Sequence, residues 1–467
     1  MDPTGTPASS TVNLVKTIIG AGLLAIPFAF RNDGVVIGAL LTLIAAVTSG
    51  FGLFILAKCS KTLINPRNSS FFTLCMLTYP SLSPLFDLAM IVQCFGVGLS
   101  YLVLIGDLFP GLFGGEPRFW ILLSSLIIVP LCCLKKLDSL RYSSIIGLFA
   151  LAYLSLLIVT YFAHDTLLTH DYKSYRGEVC WFKVYDFKGL LSTFSIIVFA
   201  YTGSMNLFSI INELKENSMA NITSVINTSI TISTAVFLAV GICGYLTFGS
   251  NTLGNIMLNY DPDSTWVYVG KLCLGSMVML SFPLLFHPCR IAINNLVVWS
   301  EIHFKKDPIM PSQQAQARSR PGEGSPIRLS IQDEDNESLA GFDNDIESVD
   351  GDDTQVIRGN NVETTPFPNS RFYAISAILL ILMYSLALKV KSFAFVLALV
   401  GATGSTSISF ILPGLFGYKL IGTDSLAVGQ SISPRDRFYK RCSVLLVWYG
   451  LSVMALSFYV TLAYGTD

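Results

Sequence analysis

Long apolar runs separated by short polar turns dominate the chain, and each run is of a length that crosses about 30 Å of hydrocarbon as a helix. In order they are Val12–Phe30, Val35–Ala57, Leu85–Leu108, Phe119–Leu134, Ile145–Phe162, Leu190–Ile211, Ile222–Phe248, Trp266–Val298, Phe372–Leu388, Phe393–Leu415 and Val444–Tyr464. The pattern predicts an all-α polytopic membrane protein of about eleven spans. The fourth run is short, and the eighth is long enough to tilt or to project beyond the bilayer.

Two runs are interrupted in the middle. In the first, Gly20, Ala21 and Gly22 separate two apolar halves with residues too small to favour helix over other conformers. In the sixth, Tyr201, Thr202, Gly203 and Ser204 do the same, with Asn206 just beyond. Exposed backbone N–H and C=O groups cost several kcal/mol each in lipid, so a broken span persists only inside protein or along a wet cavity. The half-helix ends offer N–H groups and a positive dipole to a carboxylate, and free carbonyls to an ammonium. These are the two ends of an amino acid. A plainer reading of the glycines is close helix packing. Breaks five spans apart imply a repeat, and a five-span unit must return inverted, so spans one to five and six to ten form a 5+5 inverted pair with an eleventh helix added. Gln93, Ser276, Ser281 and the run Gly401–Phe410 add polar groups to the centre of the bundle, although such side chains often serve only to join helices.

Composition agrees with this class: 52% of the 467 residues are hydrophobic and 13% charged, with a mean hydropathy of +0.59. No secretory signal is visible before Thr11, so the first span is expected to remain in the chain. A net charge of −1 gives no reason to expect a nucleic-acid partner. The ten cysteines fall mostly in apolar runs and show no zinc spacing, so no metal or other cofactor is expected. No cluster of His, Asp or Glu within the spans suggests catalysis, and an enzyme is not expected.

Lys58, Lys61 and Arg67, then Lys135, Lys136 and Arg141, then Lys419, Arg435, Arg437, Lys440 and Arg441 all follow even-numbered spans, on the side of the N-terminus. The positive-inside rule makes that side the cytosol, with the C-terminus opposite. Lys173, Arg176, Lys183 and Lys188 argue weakly the other way, diluted by His164, Asp165, Asp171, Glu178 and Asp186. The sequons at Asn68, Asn221, Asn227 and Asn336 then face the cytosol or the membrane, and none should be glycosylated. The expected organisation is a short tail (1–10), eight spans (11–306), an acidic cytosolic insert (307–370) and three spans (371–467). The insert, rich in Ser, Gln, Gly and acids, has too few apolar residues to offset the entropy of ordering. It reads as a disordered solvating linker, or as a phosphorylation region at Ser325, Ser330 or Ser338.

The segments NLVKTIIGAGLLAIPFAF, GLSYLVLIGDLFP (Gly98–Pro110), GYLTFG (Gly244–Gly249), SFPLLFHPCR (Ser281–Arg290) and GATGSTSISFILPG (Gly401–Gly414) resemble the amino acid/auxin permease family, and are most similar to its fungal vacuolar neutral amino acid transporters. The resemblance covers all eleven spans. It implies a LeuT-like fold, a substrate held between the first and sixth spans, residence in the vacuolar membrane and proton-coupled flux from lumen to cytosol. Antiport into the vacuole and a non-transporting amino acid sensor are the alternatives. Sodium-coupled relatives carry Asn where this chain has Lys16, and Thr where it has Ser281. The Lys16 ammonium either takes the place of a bound cation or snorkels to the cytosolic interface, and neither favours sodium.

For the substrate, the candidates are Thr17, Gly20, Ala21 and Gly22 with Tyr201, Thr202, Gly203 and Ser204. For coupling they are Lys16, Ser281 and His287. Asp107 and Glu213 could relay protons but read as interfacial. Neither break supplies an ionised partner for a charged cargo side chain, which favours neutral amino acids. The expected partners are the amino acid, protons and the lipid bilayer, and a monomer is expected.

Overall fold

The computed structural model describes residues 5–63, 66–134, 141–165, 176–182, 187–304, 354–358, 361–365, 367–390, 392–423 and 431–464. Among these, nine helices are long and apolar enough to cross a membrane, and the bent pair Pro7–Ile18 and Ala21–Asp33 makes a tenth crossing. The remaining expected span is Pro117–Cys132, an apolar helix of 16 residues and therefore only about 24 Å long. The apolar runs thus become helices in the expected order. At 40 residues, the eighth span, Thr265–Phe304, outruns the bilayer, as its sequence length requires.

Burial sorts the spans into an inner and an outer set. The apolar window of the sixth span (Gly189–Glu213) is 83% buried and that of the tenth (Phe393–Leu420) 72%, against 33% for the fifth (Ile146–His164) and eleventh (Pro434–Ala463). Val47, Leu126, Phe149 and Ile381, on the second, fourth, fifth and ninth spans, are each about 70% exposed. Large apolar side chains turned outward in such number mark a surface that meets lipid.

The first span starts at Pro7 under a reciprocal cap: the Thr6 hydroxyl accepts from the Ser9 amide at 3.2 Å, and the Ser9 hydroxyl accepts from the Thr6 amide at 3.0 Å. Just before it, the chain is tied to the end of the sixth span. The Gly5 amide donates to the Glu213 carbonyl at 3.0 Å, and the Lys215 amide donates to the Gly5 carbonyl at 2.9 Å. On this same face the Lys58 ammonium is 2.6 Å from the Asp436 carboxylate, Lys61 donates to Asn217, and Arg67 donates to the Lys215 carbonyl at 3.1 Å. The basic loops after spans two and ten therefore meet at the end of the bundle where the chain begins.

The tenth span changes pitch in its polar run. Gly401–Ser405 and Ser407–Ile411 are π-helical, a wider winding that is common at functional sites. Here it accommodates close approach. A Cβ on Gly401 would fall 1.9 Å from the Ser195 carbonyl oxygen, and one on Gly404 would fall 2.8 Å from Gln93 Cα. The Ser405 hydroxyl donates to Gln93 Oε1 at 2.9 Å. The run joins the third and sixth spans to the tenth.

In the acidic insert, Thr354–Arg358 and Asn361–Thr365 pair as an antiparallel hairpin, a departure from the structureless linker expected there. Residues 307–353, with Asn336, Ser325, Ser330 and Ser338, lie outside the described residues, as do Lys135, Lys136, Asp171, Lys173, Lys183 and Asp186. All ten cysteines are unpaired, and Cys59, Cys75, Cys94, Cys132 and Cys289 are buried, where a thiol behaves as a small apolar side chain.

Candidate functional site

The first span breaks where its sequence loses bulk. Pro7–Ile18 ends with Ile19 at φ −79°, ψ 67°. Gly20 follows in extended conformation, and Ala21–Ala25 resumes as a 3₁₀ turn leading into Ile26–Asp33, with the two halves bent by 45°. Among the described residues, no backbone carbonyl accepts from the amides of Ala21 or Gly22. These are the unsatisfied N–H groups that a helix start presents to an anion. The sixth span is interrupted more gently. Phe187–Ala200 passes through Tyr201–Gly203 into Ser204–Glu213, and the Thr202 amide reaches back to the Phe199 carbonyl at 3.1 Å.

A cavity of about 140 Å³ lies between the breaks, close in size to an engineered void of about 150 Å³ that holds one benzene. Of the residues singled out in the sequence, Lys16, Thr17, Gly20, Ala21, Gly22, Thr202 and Ser281 line it. Gln93, Tyr101, Phe199, Met205, Asn206 and Met277 line it too. Of these, Tyr101 and Met277 lie in continuous helical runs and Phe199 and Met205 flank the sixth break, all apolar or aromatic positions that the pattern does not distinguish from core. Asn206 had a signal, being a lone amide beside a break. Its Nδ2 donates to the Thr17 hydroxyl at 2.9 Å, so one side-chain bond joins the two interrupted spans across the cavity.

The expected residues of the sixth break divide. Tyr201 is fully buried and turned away from the cavity: its hydroxyl donates to Thr234 at 2.8 Å, and its ring meets Phe237 edge-on at 5.0 Å. A Cβ on Gly203 would sit 2.9 Å from Ile18 Cγ1 and 3.2 Å from Leu14 Cδ1, so this glycine seats the first half-helix. Ser204 is 1% exposed and, like Tyr201 and Gly203, is not among the cavity-lining residues. His287 also lies off the cavity, with Nδ1 2.9 Å from the Arg290 guanidinium. Asp107, half-buried at the end of the third span, lies 3.5 Å from the Asn255 amide, and Glu213 is exposed at a helix end. Ser276 donates to the Leu272 carbonyl at 2.9 Å.

Lys16 does not follow the surface. A Cβ on Gly147 of the fifth span would fall 3.2 Å from Lys16 Cε and 3.8 Å from its Nζ, and Lys16 shares the cavity wall with Met277 and Ser281 of the eighth. The ammonium is thus held among the first, fifth and eighth spans. A second, wider cavity of about 430 Å³ opens towards the N-terminal face, bounded by Ser69, Asp87, Asn212 and Asn295. Met205 lines both cavities.

A family model described as transmembrane amino acid transporter protein matches residues 3–456. The chain belongs to this family of amino acid transporters. This transporter is 61% identical, over the full length of both chains, to vacuolar amino acid transporter 7 of Saccharomyces cerevisiae. It is 34% identical to vacuolar amino acid transporter 5 of the same yeast, over 98% of each chain. A crystal structure of MhsT in complex with L-phenylalanine shares its fold with a TM-score of 0.54 over 98% of this chain and 99% of that one, at 11% identity. The transporter thus has the LeuT-like 5+5 architecture with one further helix, and it is not an enzyme.

Proposed function

We propose that this protein is a secondary active transporter that carries neutral amino acids out of the vacuole by proton symport. The observation that carries the reading is the cavity at the first break, where the free amides of Ala21 and Gly22 and the bare backbone of Gly20 offer a carboxylate seat. The backbone at Ala200 and Thr202, the part of the sixth break that lines the cavity, takes the amino group. No carboxylate lines this space among the described residues, so a basic cargo has no partner there, and Lys16 is engaged towards the fifth span rather than aimed at a side-chain subsite. The names of the two yeast relatives support the vacuolar membrane, and the clustering of basic loops at the N-terminal face supports a cytosolic N-terminus and a luminal C-terminus.

Lys16 supports coupling without sodium, because its ammonium stands between the first and eighth spans as a fixed cation. One proton moving with the cargo supplies about 1.4 kcal/mol per pH unit, and a lumen-positive potential adds about 2.3 kcal/mol per 100 mV. That suffices to expel a neutral amino acid several tens-fold against its gradient. In sodium-free liposomes, an imposed pH gradient should drive neutral amino acids in the direction of the protons, in preference to aspartate or lysine, and Lys16→Ala should weaken that dependence. Movement against the protons would make the protein an antiporter, binding without flux would make it a sensor, and a sodium requirement would overturn the coupling.

A further inference from the structure

Asp33 ends the second half of the broken first span, on the face opposite the N-terminus, and its side chain is completely buried. A carboxyl in that position needs partners, because an unpaired buried charge is costly. One oxygen, Oδ1, lies 2.8 Å from the hydroxyl of Thr193 on the sixth span. The other, Oδ2, has no partner. Thr193 is itself fully buried, and its hydroxyl also lies 2.9 Å from the Gly189 carbonyl, one helical turn back.

A single hydroxyl proton cannot serve two acceptors at full strength. With Asp33 ionised, the Thr193 proton goes to the carboxylate. With Asp33 neutral, the carboxyl O–H donates to Thr193, which then donates to Gly189, and both short contacts are satisfied at once. The pair therefore holds a geometry that accepts a proton without moving a heavy atom.

No ion pair competes for this carboxyl among the described residues. On its own helix, the Arg31 guanidinium donates to the Thr252 carbonyl at 3.1 Å and lies 5.1 Å over the Phe28 ring. On the seventh span, the Tyr245 hydroxyl accepts from the Cys180 amide at 2.9 Å. Arg176 and Glu178 belong to the adjoining 176–182 stretch, and Lys188 stands five residues before Thr193 on the sixth span.

We propose that Asp33 is the group that binds the coupled proton, carrying it as a neutral carboxyl against Thr193 at the joint between the first and sixth spans. The assignment rests on the proton-symport reading. It places the proton on the luminal half of the same broken helix whose midpoint holds the substrate. A shift of that half-helix relative to the sixth span would separate Asp33 from Thr193 and admit water to the carboxyl, releasing the proton.

The test uses the full chain in sodium-free liposomes, with the neutral amino acid that the wild-type protein moves fastest. Asp33→Asn, which mimics the neutral carboxyl, should keep exchange of labelled for unlabelled amino acid within about twofold of wild type, while accumulation driven by a pH gradient and substrate-induced proton movement fall at least tenfold. Wild-type accumulation and proton movement in the variant would overturn the assignment, as would loss of exchange in a folded variant. If wild type itself moves no protons, the symport reading fails first, and that result is distinct from a failure of Asp33 alone. Should Asp33→Asn not fold, Thr193→Val carries the test. Removing the donor to the carboxylate weakens the charged form more than the neutral one, so the midpoint of pH-dependent uptake should move up by about one pH unit, and an unchanged profile would overturn the proposal.

Discussion

The first and sixth spans are both interrupted near their centres, yet their glycines face different things. Gly20 has an extended backbone open to any residue, and a Cβ there would meet nothing closer than the Thr17 carbonyl oxygen at 3.8 Å. Neither strain nor a neighbour demands glycine at that point, and what its missing side chain leaves is room in the cavity. Gly22, two residues on, would place a Cβ 3.0 Å from the backbone of Ala200, and Gly203 would place one 2.9 Å from Ile18. Gly20 leaves bare backbone at the cavity wall, whereas Gly22 and Gly203 sit where the two broken spans press together. Sequence symmetry between repeats therefore does not carry over to symmetry of use.

Substitutions can break this contrast, and the largest effect is expected at the joint. Gly203→Val drives a branched side chain into Ile18 and Leu14, and overpacking of this kind costs about 1–3 kcal/mol. Uptake and the melting temperature in detergent should fall together, whereas a stable protein with lost uptake would return Gly203 to the cavity. Next in size is the pair Gly20→Ala and Gly22→Ala. The first should raise KM about tenfold at unchanged melting temperature by filling cavity space, and the second should lower the melting temperature; equal behaviour in thermal and flux assays would erase the distinction.

Smaller again is Asn206→Ala, which removes the bond to Thr17 that spans both breaks. A neutral hydrogen bond contributes about 1 kcal/mol, so substrate affinity by calorimetry should weaken about fivefold, and Thr17→Val should match it without adding to it in the double variant. The smallest effect belongs to the insert: removing residues 307–353 should leave liposome flux within about twofold of wild type.

The spans were legible because lipid imposes length and apolarity on every crossing, so the eleven runs could be read directly and the break at Gly20–Gly22 stood out as missing bulk. The first-break side of the cavity was legible for the same reason: Lys16, Thr17, Gly20, Ala21 and Gly22 all line it. The sixth break was found, but the direction of its side chains was not. A run such as Tyr201–Ser204 shows where a helix stops and not which way Tyr201 turns, and only packing against Thr234 and Phe237 decides that. Tyr101 and Met277 were hidden because a cavity wall and a core face have the same composition. Asp33 was hidden because Arg31-Asn32-Asp33-Gly34 has the chemistry of an exposed turn, and burial by the sixth and seventh spans is a tertiary event. The π-helical winding of the tenth span left no mark beyond its small residues.

The bridge between Gly5 and the end of the sixth span has a mechanical consequence. Two backbone hydrogen bonds clamp the start of the first span to Glu213 and Lys215, and the Asn206–Thr17 bond clamps its far end. Swinging the first half-helix alone would sever all three, at about 1 kcal/mol each. Swinging it together with its neighbour would sever none of them. The N-terminal ends of the passageway are thus linked as a pair of levers, and Gly5, ahead of Pro7, is the rivet between them.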